Sequence, residues 1–360
     1  MKSFAEALLR PGILRLVLAA TVVLHHAGIF ALGEWAVYVF FVLSGYWVCR
    51  MWWEKYRQRT HPFPIFIVSR YWRLWPAFFV CQLISVAVLA RFSPRWLSEA
   101  ALMSHPLWIL RTFAIVSSGS QFNLNAPIWT LDIEMQFYLV LPALAWLLAK
   151  VFELPHKVRN ALLVPVVAGL GALFIHTAFV RTETTLLPPF LLFFSLGMIT
   201  FFSDWKPTRR VGLGSVGVVA AVFGVIVCNT TWRQFIGPDA TRTALSHLHA
   251  GNLLIAGSLA VLFTPYAAYT VSLPSPRLDR HFGNISYVLY LFHYPVQMAM
   301  NWAGPSLSTS PTVRAILQVV AVVGGTVALY RLVDQPSEHW RHAILEKRRA
   351  LPPVENSIHP

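Results

Sequence analysis

The sequence predicts an all-α fold: a polytopic bundle of about ten transmembrane helices with both termini on the cytoplasmic side. The first supporting observation is the composition, because 56% of the 360 residues are hydrophobic and only 12% are charged. A soluble domain carries about 25% charged residues, so this chain cannot cover a water-facing surface. The second is that the apolar residues form runs able to span a hydrocarbon core about 30 Å thick. The third is the uneven distribution of Lys and Arg between the connecting segments.

Ten apolar segments define the predicted membrane helices. In chain order they cover residues 13–32, 35–53, 70–90, 128–149, 159–180, 185–203, 211–229, 250–271, 284–303 and 313–333. The stretch 97–118 is amphipathic and interrupted by His105-Pro106, so we interpret it as a surface or re-entrant helix. The first apolar run lacks a convincing signal-peptide cleavage site and is expected to remain as a helix.

The basic residues predict the orientation of these helices. If the N-terminus lies inside, 22 of the 29 Lys and Arg residues fall in cytoplasmic segments or at cytoplasmic helix ends. Such enrichment is typical of cytoplasmic loops and predicts an N-in, C-in topology. The membrane part then covers 1–340, and 341–360 forms a basic cytoplasmic tail.

The net charge of +14 is divided among short clusters between apolar stretches. This pattern argues against a nucleic-acid partner and favours basic loops together with a partner that carries phosphates. The three cysteines, Cys49, Cys81 and Cys228, have no metal-binding or redox spacing, so no metal site is predicted.

Arg15 and His26 lie within the first membrane helix. Eleven residues of α-helix make about three turns plus 20°, so both side chains share one face and lie about 16 Å apart. A charged and a titratable side chain are costly inside a membrane helix, which makes a functional site the default hypothesis.

The predicted topology also predicts how deep in the membrane the other polar residues lie. Arg70 and Arg73, three apart and therefore neighbours on the third helix, start at the cytoplasmic face and can point at one anionic group. Glu134 lies about two turns in from the outer end of the fourth helix, at the expected level of His26. Arginine suits phosphates by its fork geometry, so an acyl-CoA could leave its nucleotide inside while its thioester reaches the imidazole. His26 would be a general base or a transient acyl carrier.

These residues also have structural interpretations, which the sequence leaves open. The arginines could be positive-inside anchors and the histidine could be interfacial. Ser44, beside Gly45, could serve close helix packing or line a tunnel for the donor. Trp129 could belong to an interfacial belt or stack on a sugar ring. Tyr290 and His293, three apart on the ninth helix, could be structural or could line the path.

Five segments carry family-like motifs in order along the chain. They are Arg15 with His26-Ala27; Phe-Phe-Val-Leu-Ser-Gly-Tyr at 40–46; Arg-Tyr-Trp-Arg-Leu-Trp-Pro at 70–76; Trp-Thr-Leu-Asp-Ile-Glu-Met-Gln-Phe-Tyr at 129–138; and Gly-Asn-Ile-Ser-Tyr at 283–287, followed by Tyr290 and His293-Tyr294-Pro295. In this register the chain resembles the integral membrane acyltransferases of the acyltransferase-3 type. The motif register selects His26 rather than His25 as the reactive histidine.

The resemblance implies an enzyme, an O-acyltransferase, that moves an acyl group, usually acetyl, from cytoplasmic acetyl-CoA or another short acyl-CoA to a hydroxyl of an extracytoplasmic carbohydrate. It implies a multi-pass protein of the plasma membrane, namely the bacterial inner membrane, without a metal. The catalytic residues would be His26 and Glu134. The donor would be bound by Arg15, Ser44, Arg70 and Arg73, and the acceptor by Trp129, Tyr138, Tyr290 and His293.

Some features depart from the family pattern. Thr130 replaces the usual serine and keeps a hydroxyl, whereas Asp334-Gln335-Pro336 stands where a Glu-Arg/Lys-Pro motif is common, which weakens any role for Asp334. We expect no fused, secreted hydrolase-like domain, so this chain or a separate protein would complete the transfer. The rival interpretations are a transporter or flippase for an anionic amphiphile and an acyltransferase for a small molecule such as an antibiotic. The acceptor sugar, the acyl group, an acyl-histidine intermediate and a homo-oligomer stay open.

Overall fold

The computed structural model describes residues 10–94, 113–115, 124–180, 186–237, 247–303 and 310–349. These residues form helices and connecting turns and contain no β-strand, which confirms the all-α prediction. The longer helices are α1 (Pro11–His26), α2 (Gly33–Met51), α3 (Pro62–Phe92), α4 (Ile128–Glu153), α5 (His156–Val180), α6 (Leu191–Phe202), α7 (Arg209–Cys228), α8 (His247–Val271), α9 (Arg277–Ala303), α10 (Pro311–Leu329) and α11 (Gln335–Arg349).

Each of the helices α1 to α10 overlaps one of the ten predicted spans, although several helix ends differ from the predicted ones. In the part of the chain that the structure describes, six helices are long and apolar enough to cross a membrane: α3, α4, α5, α7, α8, and α10 with its continuation to Leu345. The molecule is therefore an all-α membrane bundle. Ten crossings and the N-in, C-in orientation stay predictions. The proposed surface helix at 97–118 lies outside the described residues except for 113–115.

Helix α3 begins eight residues before its predicted span. His61 has a left-handed backbone with φ of 55°, and Pro62 then occupies the first helical position, where its missing N–H is no loss. Hydropathy locates the apolar part of a helix, whereas a turn and a proline decide where the helix begins. Arg70 and Arg73 consequently lie two to three turns inside α3 instead of at its start.

The pairing of α1 with α9 holds the centre of the bundle together. The Asp279 carboxylate accepts hydrogen bonds from the backbone N–H groups of Gly12 (3.2 Å) and Ile13 (3.1 Å). Backbone N–H groups in the first turn of a helix have no hydrogen-bond partner within that helix. The Asp279 carboxylate on α9 therefore caps the N-terminus of α1. A side chain at Gly12 would place its Cβ 1.8 Å from the Asp279 carbonyl oxygen. Glycine at this position permits the close approach of the two helices.

A second close contact joins α2 to α6. A Cβ on Gly45 would lie 2.1 Å from the Phe194 carbonyl oxygen, and one on Gly197 would lie 2.0 Å from the Val42 carbonyl oxygen. Small residues allow helices in a membrane to pack with their backbones in contact. The packing role considered for the Ser44-Gly45 pair therefore belongs to the glycine.

The outer surface of the bundle is apolar along several helices. Trp146 on α4, Val164 on α5, Val225 on α7 and Val320 on α10 are each more than 60% exposed. A soluble protein rarely exposes so many large apolar side chains together. These faces fit contact with lipid.

Helix α11 follows a π-helical turn, Tyr330–Asp334, and packs against α3. Arg341 donates from Nη1 to Ser69 Oγ over 2.9 Å, and Trp72 donates from Nε1 to the Ser337 carbonyl oxygen over 3.3 Å. The predicted boundary between 340 and 341 falls inside this helix. Arg341 is buried, so the first residues assigned to the tail contribute to the packed structure. The division of the chain at this point stays a prediction.

Candidate active site

Helices α1, α2, α4 and α9 surround an inner cavity of about 70 Å³. It is lined by Arg15, Val37, Phe40, Phe41, Ser44, Thr130, Leu131, Glu134, Ser286, Tyr287 and Tyr290. Apolar walls with a few converging polar groups are typical of a small-molecule site. Four of the residues expected on sequence grounds therefore line one cavity: Arg15, Ser44, Glu134 and Tyr290.

Glu134 is held by two hydroxyl groups. Ser44 donates from Oγ to Glu134 Oε1 over 2.8 Å, and Tyr138 donates from its hydroxyl to the same oxygen over 2.5 Å. Tyr138 follows Glu134 by four residues on α4, so the two side chains share a helix face. Tyr138 is buried and holds the Glu134 carboxylate, and its expected role in binding the acceptor stays a prediction.

Arg15 lies within electrostatic range of Glu134. Its Nε is buried and makes no hydrogen bond to any residue that the structure describes. The structure brings Arg15 and Glu134 to the same cavity and also places Arg15 within electrostatic range of Arg73 and Arg70. The roles expected for Arg15 and Glu134 in binding the donor and in catalysis stay predictions. A guanidinium and a carboxylate buried in a bundle stabilise each other, and this favours their proximity.

An outer cavity of about 290 Å³ contains His26. It is lined by Val22, His25, His26, Gly33, Glu34, Val37, Ala126, Pro127, Trp129 and Tyr290. Trp129 is therefore positioned beside His26, as an acceptor-binding residue would be. Its ring is supported by Phe190, with ring centroids 5.4 Å apart, and by Phe41 at 6.2 Å.

Tyr290 and Val37 line both cavities, which therefore adjoin one another. The Tyr290 hydroxyl lies 2.8 Å from Thr130 Oγ1 and also donates to the Pro127 carbonyl oxygen over 3.3 Å. The threonine that replaces the family's serine thus uses its hydroxyl to hold Tyr290. Arg15 and His26 lie on one helix at opposite ends of this pair of cavities.

His293 lies behind His26 rather than in the open part of the cavity. It is 1% exposed, and the centroids of the two imidazole rings are 5.2 Å apart. Its Nδ1 lies 3.2 Å from the Leu289 carbonyl oxygen. Since a carbonyl can only accept, Nδ1 carries the proton and Nε2 keeps a lone pair. Nε2 is buried and has no hydrogen-bond partner among the described residues. His293 therefore lies next to His26, and its expected role in binding the acceptor stays a prediction.

The Arg70–Arg73 pair is divided between two environments. Arg73 forms ion pairs with Asp334 (Nη1 to Oδ1, 2.8 Å) and Glu338 (Nε to Oε1, 3.5 Å). Both carboxylates belong to the segment after α10. Although the Asp334-Gln335-Pro336 sequence departs from the family motif, Asp334 forms an ion pair that joins this segment to α3. Arg70 is buried, and its Nε has no hydrogen-bond partner among the described residues. Arg73 is thus ion-paired with one carboxylate of the π-helical turn and one of α11, and the expectation that Arg70 and Arg73 bind one anionic group of the donor stays a prediction.

Glu34 is the residue that the sequence interpretation missed. Helix α2 begins at Gly33, two residues earlier than predicted, and this brings the Glu34 side chain to the outer cavity. The six-residue connection between His26 and Gly33 was the available signal. Two antiparallel helices joined so closely must place the last residues of one beside the first residues of the other.

No group of three or more His, Cys, Asp or Glu side chains in the described ranges could hold a metal ion. The cavities instead offer two imidazoles, two carboxylates, a guanidinium and hydroxyl groups. Such a set can move protons and bind a polar substrate.

Comparisons with known proteins agree with this chemistry. A family model described as an acyltransferase domain, of the acyltransferase-3 type, matches residues 10–331. The chain is 27% identical to the peptidoglycan O-acetyltransferase OatA of Listeria monocytogenes, over 90% of this chain and 54% of that protein. It is 26% identical to nodulation protein 10 of Rhizobium leguminosarum bv. viciae, over 88% and 85% of the two chains. The chain thus spans about half the length of the first of these relatives. No solved structure gives a significant match.

Proposed function

Because the chain belongs to the acyltransferase-3 family of membrane acyltransferases, we propose that it transfers an acetyl group from acetyl-CoA to a hydroxyl of a carbohydrate on the other side of the membrane. The observation that carries this proposal is the pair of adjoining cavities with Arg15 at one end and His26 at the other. A carbohydrate acceptor is supported by the relative named as a peptidoglycan O-acetyltransferase. A bacterial plasma membrane is supported by the two bacterial relatives.

The donor would enter from the cytoplasmic side through the inner cavity. Arg15 and Arg70 each have a buried Nε without a hydrogen-bond partner among the described residues, so their charges can serve phosphate or carbonyl oxygens of the donor. Arg73 is already ion-paired and would act by fixing α3 against α11. The separation of about 16 Å along α1 suits a pantetheine arm whose thioester reaches the outer cavity.

His26 would act as the general base of the transfer. As the acceptor oxygen attacks the thioester carbonyl carbon, the imidazole takes the hydroxyl proton. The carbon–sulfur bond then breaks, and the departing CoA sulfur receives this proton from the imidazolium. The products are an acetyl ester and free CoA. The His293 ring lies next to that of His26, and its Nε2 has no hydrogen-bond partner among the described residues. It would accept the other N–H of His26 and so keep the reactive nitrogen unprotonated.

The test uses purified full-length protein, radiolabelled acetyl-CoA and glycan fragments released from peptidoglycan. We expect labelled acetyl to appear on the glycan together with free CoA. His26→Ala is expected to lower the rate about 100-fold or more, in line with the usual contribution of a general base. His176→Ala changes an exposed histidine on α5 and serves as the matched control. A folded His26→Ala protein that transfers acetyl at the normal rate would refute the mechanism, and uptake of CoA without transfer would favour a transporter.

A further inference from the structure

Glu34 places a second carboxylate in the site, on the same cavity as His26. It is partly buried at the start of α2 and lines the outer cavity together with Trp129 and Tyr290. Among the described residues, no Lys, Arg or hydrogen-bond donor is paired with its carboxylate. A carboxylate removed from bulk water without a partner is unfavourable for folding, so it points to a ligand that supplies the missing hydrogen bonds.

The groups opposite Glu34 indicate what kind of ligand this is. Trp129 presents an aromatic surface to the cavity and is held by Phe190 and Phe41. A fixed aromatic ring offers a flat apolar face to one side of a ligand. An ionised carboxylate has two oxygens that only accept hydrogen bonds, and such charge-assisted bonds are stronger than neutral ones. A ligand with an apolar face and neighbouring hydroxyl donors, as in a sugar ring, satisfies both.

The size and charge of the outer cavity limit which sugars can bind there. Its volume of about 290 Å³ lies at the small end of the roughly 300–1,000 Å³ typical of ligand sites, so it accommodates one sugar unit rather than a long segment. Glu34 would repel an acidic sugar, whereas neutral hydroxyl groups would donate to it. His26 lines the same cavity, so a hydroxyl of the bound sugar lies within the volume that the imidazole faces.

We propose that Glu34 and Trp129 form the acceptor subsite and that they select a neutral sugar unit, which Glu34 holds by its hydroxyl groups and Trp129 holds by its ring. This inference rests on the proposed function, because it identifies the acceptor of the same reaction. It assigns the two carboxylates different tasks: Glu134 belongs to the inner cavity with Arg15, and Glu34 binds the acceptor beside His26.

The first test measures the apparent KM for a neutral acceptor, an N-acetylglucosamine tetramer, and the affinity for CoA in a separate binding assay. Glu34→Gln is expected to raise the acceptor KM at least tenfold and to change CoA affinity less than twofold. Glu54→Gln is the matched control, since Glu54 lies exposed beyond the other end of α2 in a pair with Arg50. An unchanged acceptor KM in a normally folded Glu34→Gln protein would overturn the inference.

Two further measurements keep the test decisive. Glu34→Asp retains the charge and is expected to fall between the wild-type protein and Glu34→Gln, which also covers the case in which the glutamine variant does not fold. Trp129→Leu is expected to raise the acceptor KM without weakening CoA binding, and equal losses for both substrates would contradict the subsite. If the wild-type protein acetylates neither the tetramer nor peptidoglycan fragments, the proposed function itself fails, whatever the Glu34 variants do.

Discussion

Glu134 is a partly buried carboxylate, and its partners come from three helices. Ser44 and Tyr138 donate to the same carboxylate oxygen, and the Arg15 guanidinium lies within electrostatic range. The sequence singled out Arg15 and Glu134 as costly residues in apolar surroundings, which was sufficient to nominate them. It could not pair them, because their contact depends on how α1 and α4 are rotated about their axes.

Arg15 and Glu134 should depend on each other energetically. Removing either charge leaves the other without its counter-charge, so Arg15→Met and Glu134→Gln should each destabilise the protein. The double variant should lose less than the sum of the two single variants, with a coupling of at least about 0.5 kcal/mol. Thermal unfolding in detergent measures the three stabilities. Strict additivity would show that the two side chains do not interact.

Arg70 and Arg73 should separate in their effects. Arg70→Ala is expected to weaken CoA binding by about 1.5–3 kcal/mol, the usual contribution of a charged hydrogen bond. Arg73→Ala is expected to lower the unfolding temperature instead, because it leaves Asp334 and Glu338 without their cation. Calorimetric titration with CoA and thermal unfolding distinguish the two. If Arg70→Ala and Arg73→Ala weakened CoA binding equally, Arg73 would also have to be assigned to the donor site.

His293 should act through His26 and not through the substrates. His293→Leu removes the acceptor nitrogen behind His26, and we expect kcat to fall roughly tenfold or more while both KM values stay within twofold. His293→Gln, which keeps an acceptor oxygen, should lose less. Steady-state kinetics and the pH profile of kcat provide the measurement. A normal kcat and pH profile in His293→Leu would remove His293 from the mechanism.

At the scale of helices, most of the architecture follows from the amino-acid pattern. Ten apolar segments correspond to α1 through α10, since a helix satisfies its own backbone inside the membrane. The ends of helices were less predictable. The left-handed residue before Pro62 and the π-helical turn at Tyr330–Asp334 have no hydropathy signal. The earlier start of α2 is a difference of two residues, yet it brings Glu34, which lines the outer cavity, into the helix.

The contact between α2 and α6 provides a prediction about packing. Gly45→Ala would place a Cβ 2.1 Å from the Phe194 carbonyl oxygen, so the helices must separate. We expect a clear fall in unfolding temperature, equivalent to about 1–3 kcal/mol of overpacking. Gly214→Ala is the matched control, because a Cβ at Gly214 on α7 meets no atom within 4 Å. Equal stability of the two variants would mean that α2 and α6 are not in backbone contact.

At the scale of the whole molecule, the bundle places Arg15 and His26, which both lie on α1, in two adjoining cavities. The all-α membrane architecture was predicted from composition and apolar segments, and the family from five short motifs. The family match over residues 10–331 confirms the resemblance. Motifs name residues but give no partners across helices. The separation into an inner cavity with Glu134 and an outer cavity with Glu34 therefore emerged only from the three-dimensional arrangement.

Transfer across the bilayer is the central claim, and proteoliposomes test it most directly. An N-acetylglucosamine tetramer is sealed inside vesicles that contain the protein, and radiolabelled acetyl-CoA is added outside. Protein molecules whose cytoplasmic face points outward should acetylate the sealed tetramer, and vesicles with His26→Ala should not. Label on the enclosed tetramer with intact vesicles is the predicted result. Acetylation that occurs only when donor and acceptor share one compartment would contradict the account.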